Sequence, residues 1–121
     1  MTHIITAGNV ENFTITLGMC AERCAIYSAN AQGLGDSCVA IVIVAGRVDS
    51  RTKEVIRPGK IIPPCLECRG IIYEHAVRAK KSGALHEVGD FRICISTPKF
   101  EQDEILVTTI GELYPMPFDT R

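Results

Sequence analysis

Three cysteines set the strongest condition on how this chain can fold. They occur in two short blocks far apart in sequence, Cys20-Ala21-Glu22 and Pro64-Cys65-Leu66-Glu67-Cys68. This spacing is the one expected of a zinc site that activates water. Catalytic zinc takes three protein ligands, keeps a fourth position for water, and accepts thiolates at about 2.3 Å. Cys20, Cys65 and Cys68 supply the three ligands, so the fold must carry both blocks to one point. A bound zinc lowers the pKa of its water from about 15.7 to about 7, which makes hydroxide available as a nucleophile at neutral pH. Three thiolates are a negative ligand set and blunt that acidity unless positive charge or hydrogen-bond donors offset them. Arg23 follows Glu22 and Arg69 follows Cys68, and each is placed to donate to a thiolate from just beyond the ligands.

Glu22 lies two residues from Cys20, which on a helix turns it to a different side from the ligand. It is better placed to move protons than to bind metal. Hydrolytic deamination needs a group that takes a proton from the metal-activated water and delivers it to a ring nitrogen and then to departing ammonia. One carboxylate can do all three. A C-x-x-C pair alone fits a structural zinc or a redox dithiol as well as a catalytic site. The proline before it and the distant Cys-Ala-Glu direct the reading to a deaminase-type zinc centre.

The pattern of elements is alternating α/β. His3 to Ala7 reads as a short strand, and Cys20 to Gln32 as a helix ending at Gly33, a residue suited to a left-handed cap. Val39 to Ala45 is a continuous β-branched run, as in a strand covered on both faces. A second helix is expected near Leu66 to Lys80, with Ile71, Ile72, Ala76 and Ala79 at roughly helical spacing. Phe91 to Ser96 and Ile105 to Thr109 read as strands, and Ile110 to Tyr114 as a short closing helix. Both cysteine blocks then fall at helix N-termini, where main-chain N–H groups and the helix dipole favour thiolate. The two helix starts must converge on one face of the sheet.

Composition bounds the remaining possibilities. The 121 residues read as one domain spanning 1–121, and 46% hydrophobic content with a net charge of −1 indicates a soluble globular chain. The basic excess demanded by a nucleic-acid backbone is missing, so no nucleic-acid partner is expected. No apolar run approaches the roughly 20 residues of a membrane span, and the N-terminus lacks a signal-peptide pattern. A cytoplasmic location follows as the expectation, with the six cysteines reduced or metal-bound. Cys24, Cys38 and Cys94 read as small core residues, and His3, His75 and His86 as scattered surface or core histidines.

Four separated blocks together resemble the cytidine deaminase family: Gly8-Asn9-Val10-Glu11-Asn12, Leu17-Gly18-Met19-Cys20-Ala21-Glu22-Arg23, Pro63-Pro64-Cys65 to Arg69, and Thr109-Ile110-Gly111-Glu112-Leu113-Tyr114-Pro115 with Phe118. The resemblance implies a three-layer α/β/α sandwich with a mixed sheet, a zinc cofactor, and a small nucleoside substrate. It assigns Asn9 and Glu11 to the sugar hydroxyls and the backbone around Ala21 and Pro64 to the pyrimidine. The aromatic at the position of Phe118 lines a neighbouring subunit's site in that family, which implies a homo-oligomer, a tetramer or a dimer. Blasticidin deaminases lack the second acidic residue of the sugar segment, so Glu11 points to cytidine or deoxycytidine and to pyrimidine salvage.

The chain also departs from the family pattern. Members begin with a helix and a strand before the Asn-x-Glu segment, and here Met1 stands almost on that segment, leaving roughly 40 residues missing by average element lengths. The domain is therefore expected to be N-terminally incomplete, without its usual first helix and first strand. Arg47 to Lys60 reads as an added loop, Tyr73 to Asp90 as an extended stretch, and Gly70 stands where the family commonly has Gln. Two rival functions go with these departures. One is deamination of another small aminated heterocycle, such as a blasticidin-like nucleoside; the other is an inactive zinc-binding or oligomerisation module.

Overall fold

A computed structural model describes residues 3–10, 18–48, 51–52, 55–57, 61–98 and 102–117. Helix α1 spans Ala21–Ala31 and starts directly after Cys20, whose extended backbone makes it the N-cap. Gly33, at φ 77°, ends it in the left-handed conformation that a residue without Cβ adopts freely. Helix α2 spans Leu66–Ser82, starts directly after Cys65, and stops at Gly83 with φ 86°. Both cysteine blocks thus sit at helix starts, and the helix boundaries fall within two residues of those read from the pattern.

Three strands form the main sheet: β1 Ala40–Val44, β4 Arg92–Ser96 and β5 Ile105–Thr109. Strand β4 lies between the others, parallel to β1 with Val42 opposite Cys94, and antiparallel to β5 with Cys94 opposite Val107. A parallel pair needs a long crossover, and α2 lies within the one that joins β1 to β4. The alternating α/β order read from the pattern and the mixed sheet implied by the resemblance are therefore present. Strand β5 runs straight into the short helix α3, Ile110–Leu113, where the Thr109 hydroxyl accepts the Glu112 N–H at 3.3 Å. The stretch from Arg47, read as a loop, contains a small antiparallel pair, β2 Arg47–Val48 and β3 Val55–Arg57.

One face of the sheet holds the core. Ile93 and Ile95 of β4 are fully buried against Ile26 of α1 and Ile72 and Ala76 of α2, with Phe91 and Ile110 closing the cluster. Ile41 and Ile43 of β1 pack on its edge.

Two sequence expectations are corrected. Strand β1 is covered on one face only: its exposure alternates, and Val42 is 65% exposed, as is Val107 of β5, across β4 from it, at 67%. A β-branched run has the same residue type on both faces, so it carries no signal for which face is packed. Residues His3 to Ala7 form no strand. A strand exists only by sharing a ladder with a neighbour, and the pairing described for this segment is a single antiparallel bridge from Val10 to Met19.

The one-sided core makes a direct prediction. Ile95→Ala should cost about 2–5 kcal/mol in urea unfolding. Val42→Thr, on the open face, should stay within about 0.5 kcal/mol of the parent. Equal losses at both positions would mean that the Val42 face is packed.

Candidate metal centre

The two helix starts bring the sulfurs of Cys20, Cys65 and Cys68 within 4.8 Å of one another. Cys20 Sγ and Cys65 Sγ are 4.0 Å apart and no disulfide joins them. Ligands at about 2.3 Å from a tetrahedral centre lie about 3.8 Å apart, so the cluster fits zinc with little adjustment. Three thiols with a cationic donor beside them form a donor set suited to a soft or borderline divalent metal. Among the described residues this is the one cluster able to hold a metal, and Cys24, Cys38, Cys94 and the three histidines lie outside it.

The three cysteines differ in setting. Cys68, on the first turn of α2, is buried, while Cys65 is exposed and Cys20 is intermediate. Burial pushes the Cys68 thiol well above its ordinary value, and the Cys65 hydrogen bond and the negative charge of Glu22 push it further. Partial burial also opposes ionisation of Cys65, but hydrogen bonds from the Cys68 main chain and thiol, from Cys20 and from the Glu67 main chain outweigh it and bring that thiol down. The turn therefore eases ionisation of Cys65 and opposes it at Cys68.

Glu22 sits in the first turn of α1, half-buried, with its carboxylate close enough to Cys68 to perturb it. Arg23 donates from Nη2 to Cys20 Sγ at 3.8 Å, and that bond pushes its own pKa up. Its Nη1 pairs with Glu67, the residue between the α2 cysteines, at 3.3 Å. Arg69 behaves differently from Arg23. Its Nε donates to the Pro64 carbonyl and its Nη1 to the Leu113 carbonyl, both at 2.9 Å. It thus ties the cysteine turn to the end of α3, where the sequence reading had it donate to a thiolate. The sequence showed an arginine beside a ligand in both cases and held no signal for the distant Leu113 carbonyl.

Asn9 is exposed and precedes Val10, whose N–H and carbonyl exchange 2.8 Å bonds with Met19. That bridge sets the Asn9 segment beside Cys20, a link that spacing alone could not reveal. Ala21 is the first residue of α1 and Pro64 is buried behind Cys65. Glu11 and Phe118 lie outside the described residues. A shallow cavity of about 340 Å³ runs along α2 from Glu67, lined by Gly70, Ile71, Tyr73, Glu74 and Tyr114. The missing side chain at Gly70 helps keep it open, since a Cβ there would lie 3.9 Å from the Tyr114 hydroxyl.

The chain is similar to known proteins both in sequence and in structure. A cytidine deaminase of Halalkalibacterium halodurans is 37% identical over 71 residues, which make up 59% of this chain and 45% of that protein. The chain thus spans under half the length of the curated relative it matches. The crystal structure of cytidine deaminase from Burkholderia pseudomallei superposes with a TM-score of 0.65 at 26% identity, over 96% of this chain and 72% of that one. No protein-family model matches the chain.

The site predicts a defined metal content. Purified protein should bind one zinc per chain in a colorimetric chelator assay. Serine at Cys20, Cys65 or Cys68 should abolish stoichiometric binding, and Cys24→Ser should retain it. Affinity should fall as pH is lowered, because the metal must displace thiol protons and Cys68 holds its proton tightly. Full zinc retention in Cys68→Ser would exclude this ligand set.

Proposed function

We propose that this chain, a relative of the cytidine deaminases in sequence and in fold, catalyses zinc-dependent hydrolytic deamination of cytidine or deoxycytidine. The supporting observation is the convergence of three cysteine sulfurs within 4.8 Å at two helix starts, with the Glu22 carboxylate acting on the same cluster. Zinc, when held by Cys20, Cys65 and Cys68, supplies a water acidic enough to act as nucleophile near neutral pH.

The chain's own residues do the rest. Glu22 accepts one proton from the attacking water and passes it to the ring nitrogen, then takes the remaining hydroxyl proton and delivers it to the departing amine as the carbonyl forms. A C–O bond forms at the ring carbon, its C–N bond breaks, and uridine or deoxyuridine leaves with ammonia. Arg23 offsets part of the thiolate charge through its bond to Cys20. Asn9, bridged beside Cys20, orients the sugar together with Glu11, and the backbone at Ala21 lines the pyrimidine. A nucleoside substrate, a role in pyrimidine salvage and a homo-oligomer completed by Phe118 belong to the same proposal. No helix among the described residues is long and apolar enough to cross a membrane.

Glu22→Ala should keep its zinc and lose turnover of cytidine by about 10²-fold to 10⁴-fold or more, followed as loss of cytidine absorbance. Asn9→Ala should raise KM more than it lowers kcat. Near-parental turnover in the zinc-loaded Glu22→Ala protein would remove Glu22 from the reaction. A folded, zinc-bound parent that leaves cytidine unchanged would remove cytidine as the substrate.

A further inference from the structure

The two helices that present the metal ligands are joined a second time, well away from the sulfurs. His75, in the middle of α2, is only 5% exposed, and both of its ring nitrogens are engaged. Nδ1 lies 3.0 Å from the Ile71 carbonyl of the same helix. A carbonyl only accepts, so Nδ1 donates to it. The Asn30 side-chain amide, in the last turn of α1, meets Nε2 with Nδ2 at 3.0 Å and Oδ1 at 3.2 Å. The ring is therefore a rigid arm fixed to α2 that holds α1 at one defined point.

Three observations connect this bond with the metal centre. His75 is seven residues, about two helical turns, beyond Cys68 on the buried face of α2, which also carries Ile72, Ala76 and Ala79. Asn30 lies on the same short helix whose start presents Cys20 and Glu22. The turn after α1 is closed onto Asn30, since a Cβ on the buried Gly35 would overlap the Asn30 amide. The other polar contacts described between the helices lie at the mouth: the Arg23–Glu67 pair, whose glutamate is 75% exposed, and the cysteines themselves. Exposed ion pairs hold geometry weakly. The directional contact with a buried partner is the one between His75 and Asn30.

We propose that His75 and Asn30 are positioning residues: their hydrogen bond sets the register of α1 on α2 and so preorganises Cys20 against Cys65 and Cys68 for the metal. The proposal rests on the metal reading above and extends it to residues that touch neither metal nor substrate. Helices are stiff on this length scale, so a slip at Asn30 moves the helix start that carries Cys20 and Glu22. The three sulfurs then have to be gathered by the metal at the expense of its binding free energy.

The test is a double-mutant cycle on the full chain, using Asn30→Ala, His75→Leu and both together, read as zinc affinity by competition with a chromophoric chelator. Both single variants should weaken zinc about tenfold, in the range seen when outer contacts of a metal ligand set are removed. The double variant should be no weaker than either single one, since the three remove the same bond. The visible d–d band of the cobalt(II)-loaded protein should shift alike in all three. His75→Gln, which keeps a partner for Asn30, should recover part of the loss. Affinities within twofold of the parent, or losses that simply add, would overturn the positioning role. Asn30 is exposed, so Asn30→Ala breaks the bond from the solvent side and carries the test even where His75→Leu fails to fold. A parent that binds no zinc would overturn the metal reading and this inference together, whereas equal affinities in a zinc-binding parent would overturn this inference alone.

Discussion

Everything in this structure that bears on chemistry depends on one constraint: the starts of two helices, separated in sequence by three strands, must meet closely enough for their cysteines to form one cluster. The sulfurs lie within 4.8 Å of one another, and this is possible because α1 and α2 pack on the same face of the sheet. Ile26 on α1 and Ile72 and Ala76 on α2 are driven onto Ile93 and Ile95 by burial of apolar surface. The hydrophobic core and the cysteine cluster are therefore two outcomes of one packing event. Without that core the ligands would be tens of residues apart on a flexible chain.

Electrostatics then differentiate the three cysteines. Helix starts favour anions, and three thiolates with a nearby carboxylate repel one another, so the cluster needs compensation. Arg23 provides it by bonding to Cys20 while pairing with Glu67, which links the two cysteine blocks across the mouth. Arg69 contributes stiffness and leaves the charge balance to Arg23. By holding the Pro64 and Leu113 carbonyls it fixes the turn that presents Cys65 and couples that turn to the end of the last helix.

Much of this was legible in the sequence because the signals were local. Helix periodicity, the glycine at position 33, and the Pro-Cys-x-x-Cys turn each act over a few residues, and their elements formed where expected. What was not legible depended on partners remote in sequence. A β-branched run at Val39 to Ala45 cannot show which of its faces will find a helix, and His3 to Ala7 cannot become a strand without a neighbour to share its ladder. His75 read as a scattered histidine because its partner Asn30 lies on a different helix, and no spacing rule connects them. The cysteines escaped this limit since metal chemistry itself states that they must meet.

The three cysteines also grade inward from solvent: Cys65 is exposed, Cys20 is intermediate, and Cys68 is buried. The cluster therefore has one open side and one closed side. Whatever enters it from solution meets Cys65 first and Cys68 last, and passes the turn that Arg69 holds through the Pro64 carbonyl.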